Sequence, residues 1–247
     1  MINFKSKEIF YDNLNKMLKK ENTAEYFYPN ASSNKSIKTT KFLGPNTLIA
    51  TGYSHLVLDD LSAYDLLYDN LTKLPEKYSA YDLIKCVQKS VFDYFGYDKP
   101  NEYERLKTYK LNYDKDIHTS IINFKNTGNS WCLERASLCH NYLKLLGLNS
   151  ALISSNIELN GNKQLHAYNT LEINGFKYLL DLLNTPSSPE NIPRPIFEKI
   201  SDDIDLFNEQ HSIDFGNNYS FSFVSKSGKH YHINYLNSSE NNDILSK

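Results

Sequence analysis

Apolar positions along the chain recur at two periods, and the periods mark out the elements. Phe4, Ile9, Phe10, Leu14, Met17 and Leu18 lie at helical spacing among Lys and Asn, which predicts an amphipathic helix over 3–20 that caps the core. Residues 29–46 are polar and rich in turn formers, and read as a surface loop. A short apolar segment, 47–53, leads to helical spacing over 56–74. A stronger helix over 79–95 carries Leu83, Val87, Val91 and Tyr94 or Phe95 as its stripe, with Ser79 as N-cap and Gly96 as its stop. Cys86 beside that stripe reads as a small buried apolar residue. After the polar segment 98–118, Cys132, Ala136, Cys139, Leu143 and Leu146 share one face of a further helix that Gly147 ends. Leu138 and Leu145 fall on its other side, so this helix is expected to be central.

The spacing then changes to two. Residues 150–158, 164–173 and 176–181 read as strands, and Asn174-Gly175 between the last two is the signature of a type I′ hairpin. Beyond 190 the chain reads as an acidic helix over 196–209, then strands at 219–225 and 230–236, then a polar, frayed end.

The hairpin fixes a register. A two-residue loop pairs Ile173 with Phe176, hence Leu171 with Tyr178, Tyr168 with Asp181 and His166 with Leu183. Alternation puts His166, Tyr168 and Asp181 on one face, with Asp181 the diagonal neighbour of His166. A carboxylate there can hold one imidazole nitrogen and leave the other for a nucleophile. Cys132 supplies a nucleophile in a suitable place. It opens its helix, where Ser130 is an available N-cap, Glu134 suits the first turn, and unpaired N–H groups favour an anion. Those groups can also bond an oxyanion. Cys139, in mid-helix, has neither advantage and belongs to the core. Bringing Cys132 to the pair requires the helix to pack its first turn on the face of His166.

Composition narrows the classes. With 40% AVILMFWYC and 23% charged residues the 247-residue chain is globular, and its net charge of −2 offers no cationic field for nucleic acid. Three cysteines suit a reducing compartment better than a disulfide framework. No apolar run is long enough to span a bilayer, and the first 20 residues lack the core of a signal peptide. A cytoplasmic location is expected, with signal-less secretion the other route. No nucleotide-binding glycine motif occurs. His230 and His232 lack a third ligand at metal spacing. No cofactor or metal is expected, and the oligomeric state is open.

Over about residues 80–185 the chain resembles the transglutaminase-like cysteine enzymes, a branch of the papain-like fold. The likeness lies in Cys132 opening a helix that contains an acidic residue and Ala136, in Leu146-Gly147-Leu148 leading to a strand, in His166-Ala167-Tyr168, and in Asp181 to Asn184. The helix over 79–95 with its following Gly-Tyr-Asp is similar too. The run Cys132-Leu133-Glu134-Arg135-Ala136 is also similar to the leader peptidases of lasso-peptide biosynthesis. There are departures: Gly128 lies four residues before Cys132, and Trp131 occupies the preceding place. Trp131, Gln88 and the Cys132 N–H are alternative oxyanion donors. The resemblance implies an α+β fold, its papain-like core having the nucleophile helix packed on an antiparallel sheet, with extra N-terminal helices. Over one domain, 1–247, it divides the chain into an N-terminal helical extension (1–78), a catalytic core (79–185) and a C-terminal helix and strands (186–247). It also implies Cys132 as nucleophile, His166 as base and Asp181 as orienter, acting on a peptide or protein amide through a thioacyl intermediate. Hydrolysis, deamidation and transamidation all follow from that intermediate. The readings from other classes are an inactive interaction module on the same fold, and a leader peptidase or tailoring acyltransferase of peptide biosynthesis.

Overall fold

The computed structural model of the chain describes residues 6–20, 25–27, 37–51, 54–97, 101–110, 118–159, 162–173, 176–182, 188–190, 192, 195–200, 211–214, 220–224 and 230–234. It is a mixed α+β structure. The helices are α1 (Lys7–Lys20), α2 (Ser62–Thr72), α3 (Ala80–Phe95), α4 (Glu102–Lys110) and α5 (Cys132–Leu145). Strands β1 (Glu25–Phe27), β3 (Thr47–Ala50), β4 (His55–Val57) and β5 (His118–Ser120) form a small mixed sheet, in that order. The large sheet runs through β12 (His230–Asn234), β11 (Ser220–Val224), β10 (His211–Asp214), β6 (Asn149–Leu159), β7 (Asn162–Ile173), β8 (Phe176–Asp181) and β9 (Ile196–Ile200), and β2 (Ile37–Thr39) also pairs with β6.

Local chemistry explains where the helices begin and end. Ser79 Oγ accepts from Asp82 N–H while Asp82 accepts from Ser79 N–H, a reciprocal box that starts α3. Gly96 ends it at φ 93°, where a β-carbon would stand 3.2 Å from Gly128 N. The close approach is used: Gly128 N–H donates to Phe95 O at 2.7 Å and Asn126 N–H to Tyr94 O at 2.9 Å. The end of α3 thereby anchors the segment that enters α5. Gly147, at φ 75°, follows the last turn of α5 as its spacing predicts.

α5 is central, with Leu138, Cys139, Tyr142 and Leu143 at most 1% exposed. Its polar side chains fasten it to its surroundings. Asn141 accepts from Leu43 N–H and donates to Leu43 O, both at 2.8 Å, and Tyr142 OH donates to Ala63 O at 2.6 Å. His140 sits between Lys41 O at 2.7 Å and Ser150 Oγ at 3.0 Å. Cys86 and Cys139 are buried, as their positions on the stripes require.

Three expectations need correction. The acidic helix over 196–209 is not formed at its start: Ile196–Ile200 is a strand antiparallel to β8, and 201–210 lies outside the described residues. Pairing along β8 and burial of Ile196 outweigh the local helical spacing. The helix over 56–74 starts only at Ser62, where Asp60 takes both Ser62 N–H and Ser62 Oγ at 2.9 Å; His55–Val57 is strand. The loop over 29–46 holds β2 and the buried Phe42 and Leu43, so it is partly core. The polar segment 98–118 contains α4. The N-terminal region therefore combines helices with strands, and the described part of 186–247 is strand without helix.

Candidate functional site: a thiol, an imidazole and a carboxylate

The hairpin register forms as its turn signal predicts. Ile173 pairs with Phe176, Leu171 with Tyr178 and Asn169 with Leu180, although the turn residues themselves lie outside the described set. One step beyond that ladder, Asp181 Oδ2 lies 2.6 Å from His166 Nε2. The ring of His166 stacks on Tyr168, two positions along the same face, at 6.0 Å and 22°. Both members of the pair are buried, with 4% and 5% of their surface exposed. Nε2 is thus engaged with Asp181, and Cys132, which lines the same small cavity as Asp181, is close enough to act on the charge of the ring. Cys132 itself is half-buried.

Electrostatics follow from this enclosure. Burial alone would lower the His166 pKa, but the adjacent Asp181 charge, their hydrogen bond and the Cys132 contact outweigh it and raise the group to about 10.

The packing of α5 on the sheet differs from the expected one. The body of α5 lies on the face of β7 that carries Asn169, whose Nδ2 donates to Ala136 O at 3.1 Å, and by alternation Ala167 and Leu171 share that face. By alternation His166 and Asp181 belong to the opposite face. The β7–β8 ladder stops at Asn169 and Leu180, short of both residues. A cavity of about 10 Å³ is lined by Cys132, Arg135, Asn169, Asp181 and Leu182 among others.

The first turn of α5 is held differently from the sequence reading. Trp131, not Ser130, is its N-cap, and an indole cannot accept, so the Glu134 carboxylate makes half of a box by accepting from Trp131 N–H at 2.9 Å. Ser130 Oγ instead accepts from Arg135 Nε at 2.8 Å. Arg135 is 1% exposed and its guanidinium lies 5.0 Å over the Phe92 ring; burial, partly offset by Glu134 and Cys132, lowers its pKa to about 10. Of the three oxyanion donors considered, Gln88 is committed elsewhere, its Nε2 donating to Leu182 O at 3.1 Å. Gln88 also lines a larger cavity, about 410 Å³, with Lys73, Lys85, Lys89, Cys86 and Ile192.

Sequence reasoning missed Arg105 and Tyr109 of α4, both of which bond Glu134. The signal was present in Glu134 itself, a carboxylate in the first turn of a helix apolar on two sides, which has to find a cation when buried. Asn184 lies outside the described residues, as do the side chains of His230 and His232. Among the described residues no group of three or more His, Cys, Asp or Glu is placed to hold a metal ion, and no helix is long and apolar enough to cross a membrane. Comparison with family models, with curated proteins and with solved structures returns no match.

Proposed function

We propose that the protein is a cysteine-dependent acyl-transfer enzyme acting on a peptide or glutamine amide, built on a papain-like, transglutaminase-like core. One observation carries the reading: an imidazole 2.6 Å from a buried carboxylate stands near a thiol that opens a helix and shares a small cavity with that carboxylate. A structural histidine needs neither a thiol at a helix start nor a desolvated carboxylate, and the three together form the constellation that thiol catalysis uses.

In this reading the thiol proton of Cys132 passes to His166. The sulfur attacks the amide carbonyl carbon, and the carbonyl π electrons move to oxygen. His166 gives its proton to the departing nitrogen as the C–N bond breaks, which leaves a thioacyl enzyme and neutral imidazole. Asp181 holds the ring and its charge throughout. The imidazole then takes a proton from water or from an amine as that nucleophile attacks the thioester, and returns it to the sulfur on release. Water gives hydrolysis or deamidation, and an amine gives conjugation.

The test uses peptides bearing glutamine, with intact-mass detection of the acyl enzyme and measurement of released ammonia or cleaved peptide. The wild type is expected to show a covalent adduct on Cys132 and turnover, and Cys132→Ala neither. Equal turnover in both proteins would contradict the proposal.

A further inference from the structure

A buried ion pair stands directly behind the nucleophile. Glu134 is 0% and Arg105 8% exposed. Arg105 Nη2 donates to Glu134 Oε1 at 2.7 Å, Nε reaches both carboxylate oxygens at 3.2 and 3.3 Å, and Tyr109 OH donates to Oε1 as well. A pair so desolvated contributes little to stability compared with apolar side chains of the same volume. Its contacts suggest another role. Glu134 Oε2 takes Trp131 N–H, and the Arg105 guanidinium lies 5.2 Å over the Trp131 ring and 5.3 Å over Tyr109. Trp131 is therefore gripped at its backbone and at its ring, and Cys132 is the next residue. The backbone hold comes from Glu134 of α5 itself, and the hold on the ring comes from Arg105 of α4, an element that supplies no member of the thiol–imidazole–carboxylate set.

We propose that Glu134, held by Arg105, is a positioning residue that aims the Cys132 thiol at His166. The proposal rests on the reading of Cys132 and His166 as nucleophile and base. Every oxygen of Glu134 is engaged, so the carboxylate has one resting geometry. Replacing it with an apolar group leaves Trp131 N–H without its acceptor and lets the first turn of α5 shift. Displacements of about 1 Å cost on the order of 100-fold in such sites. The Glu134 pKa agrees: burial would raise it, but the Arg105 charge and hydrogen bonds lower it, so the group is the anion the grip requires.

A double-mutant cycle on Cys132 alkylation by iodoacetamide, read by peptide mass spectrometry, tests this. In the wild-type background His166→Ala is expected to slow alkylation at least about 10-fold. In a Glu134→Leu background the rate is already lower, and adding His166→Ala is expected to change it less than about twofold, because the coupling between thiol and ring is gone. Glu134→Gln keeps an acceptor for Trp131 N–H and is expected to restore most of the dependence on His166. Full dependence on His166 in Glu134→Leu would overturn the proposal, whatever happens to its melting temperature. Should Glu134→Leu fail to fold, Arg105→Lys replaces it. That variant keeps a cation but loses the two-pronged grip and the broad stack on Trp131, and the same loss or retention of His166 dependence decides. Absence of any His166 dependence in the wild type would remove the catalytic reading and this inference with it. Dependence in the wild type and both variants would remove this inference alone.

Discussion

The imidazole of His166 carries most of the chemistry assigned to this site, and its behaviour depends on one neighbour. With Asp181 at 2.6 Å its pKa is raised to about 10 despite burial. Asp181→Asn leaves a neutral amide that does not stabilise the imidazolium, so the ring is expected to titrate at least about one unit lower. Observing the His166 ring by NMR between pH 6 and 10 checks this: the wild-type ring should stay protonated at pH 8, and unchanged titration in the variant would contradict the assignment. The His166–Asp181 pair and the place of Cys132 at a helix start were legible in the sequence because each lies at a marked position. Cys132 opens a helix, and Asn174-Gly175 fixes the register that sets Asp181 diagonal to His166. Arg105 was not legible, since α4 has no apolar period and its burial is decided by Glu134, 29 positions away.

Among the elements, α5 and β7 must keep their relative height for the thiol to meet the ring. Asn169 Nδ2 to Ala136 O is the bond that sets it, one turn beyond Cys132. Asn169→Leu leaves that buried contact unmade and is expected to cost about 1–3 kcal/mol, read from urea unfolding, together with slower alkylation of Cys132. Gly96→Ala, at φ 93° against Gly128 N, is expected to lower stability by about 1 kcal/mol or more and to disturb entry into α5. Stability equal to wild type in either variant would show that the contact is slack. Elements with a strong local signal, such as the Ser79 box or the hairpin, were readable from sequence. β9 and β2 were not: their residues carry weak or helical patterns, and pairing with β8 and β6 determines their conformation. The face on which α5 packs was also misjudged, because alternation alone does not tell where a ladder ends.

At the scale of the whole molecule, two buried histidines pull the pH dependence of stability in opposite directions. His140 is held neutral, burial lowering its pKa to about 4, so its contribution is present above the unfolded value of about 6.5 and is lost as pH falls through about 4. His166 is the reverse: its contribution is full below about 6.5 and is lost as pH rises through about 10. Asp60, Asp82, Asp93 and Glu134, all lowered, add to the acid limb. Melting temperature is therefore expected to peak near pH 6.5. His140→Gln should flatten the acid side between about 6.5 and 4, and His166→Gln the alkaline side between about 6.5 and 10. Limbs unaltered by these changes would show that other groups control the profile.

Alkylation of the three cysteines in one folded sample tests the activated thiol most directly, because Cys86 and Cys139 serve as internal references. Brief iodoacetamide treatment at neutral pH, followed by peptide mapping, should modify Cys132 alone, with the rate falling at least about 10-fold in His166→Ala. Slow labelling of Cys132 at the same rate in both proteins would contradict the account.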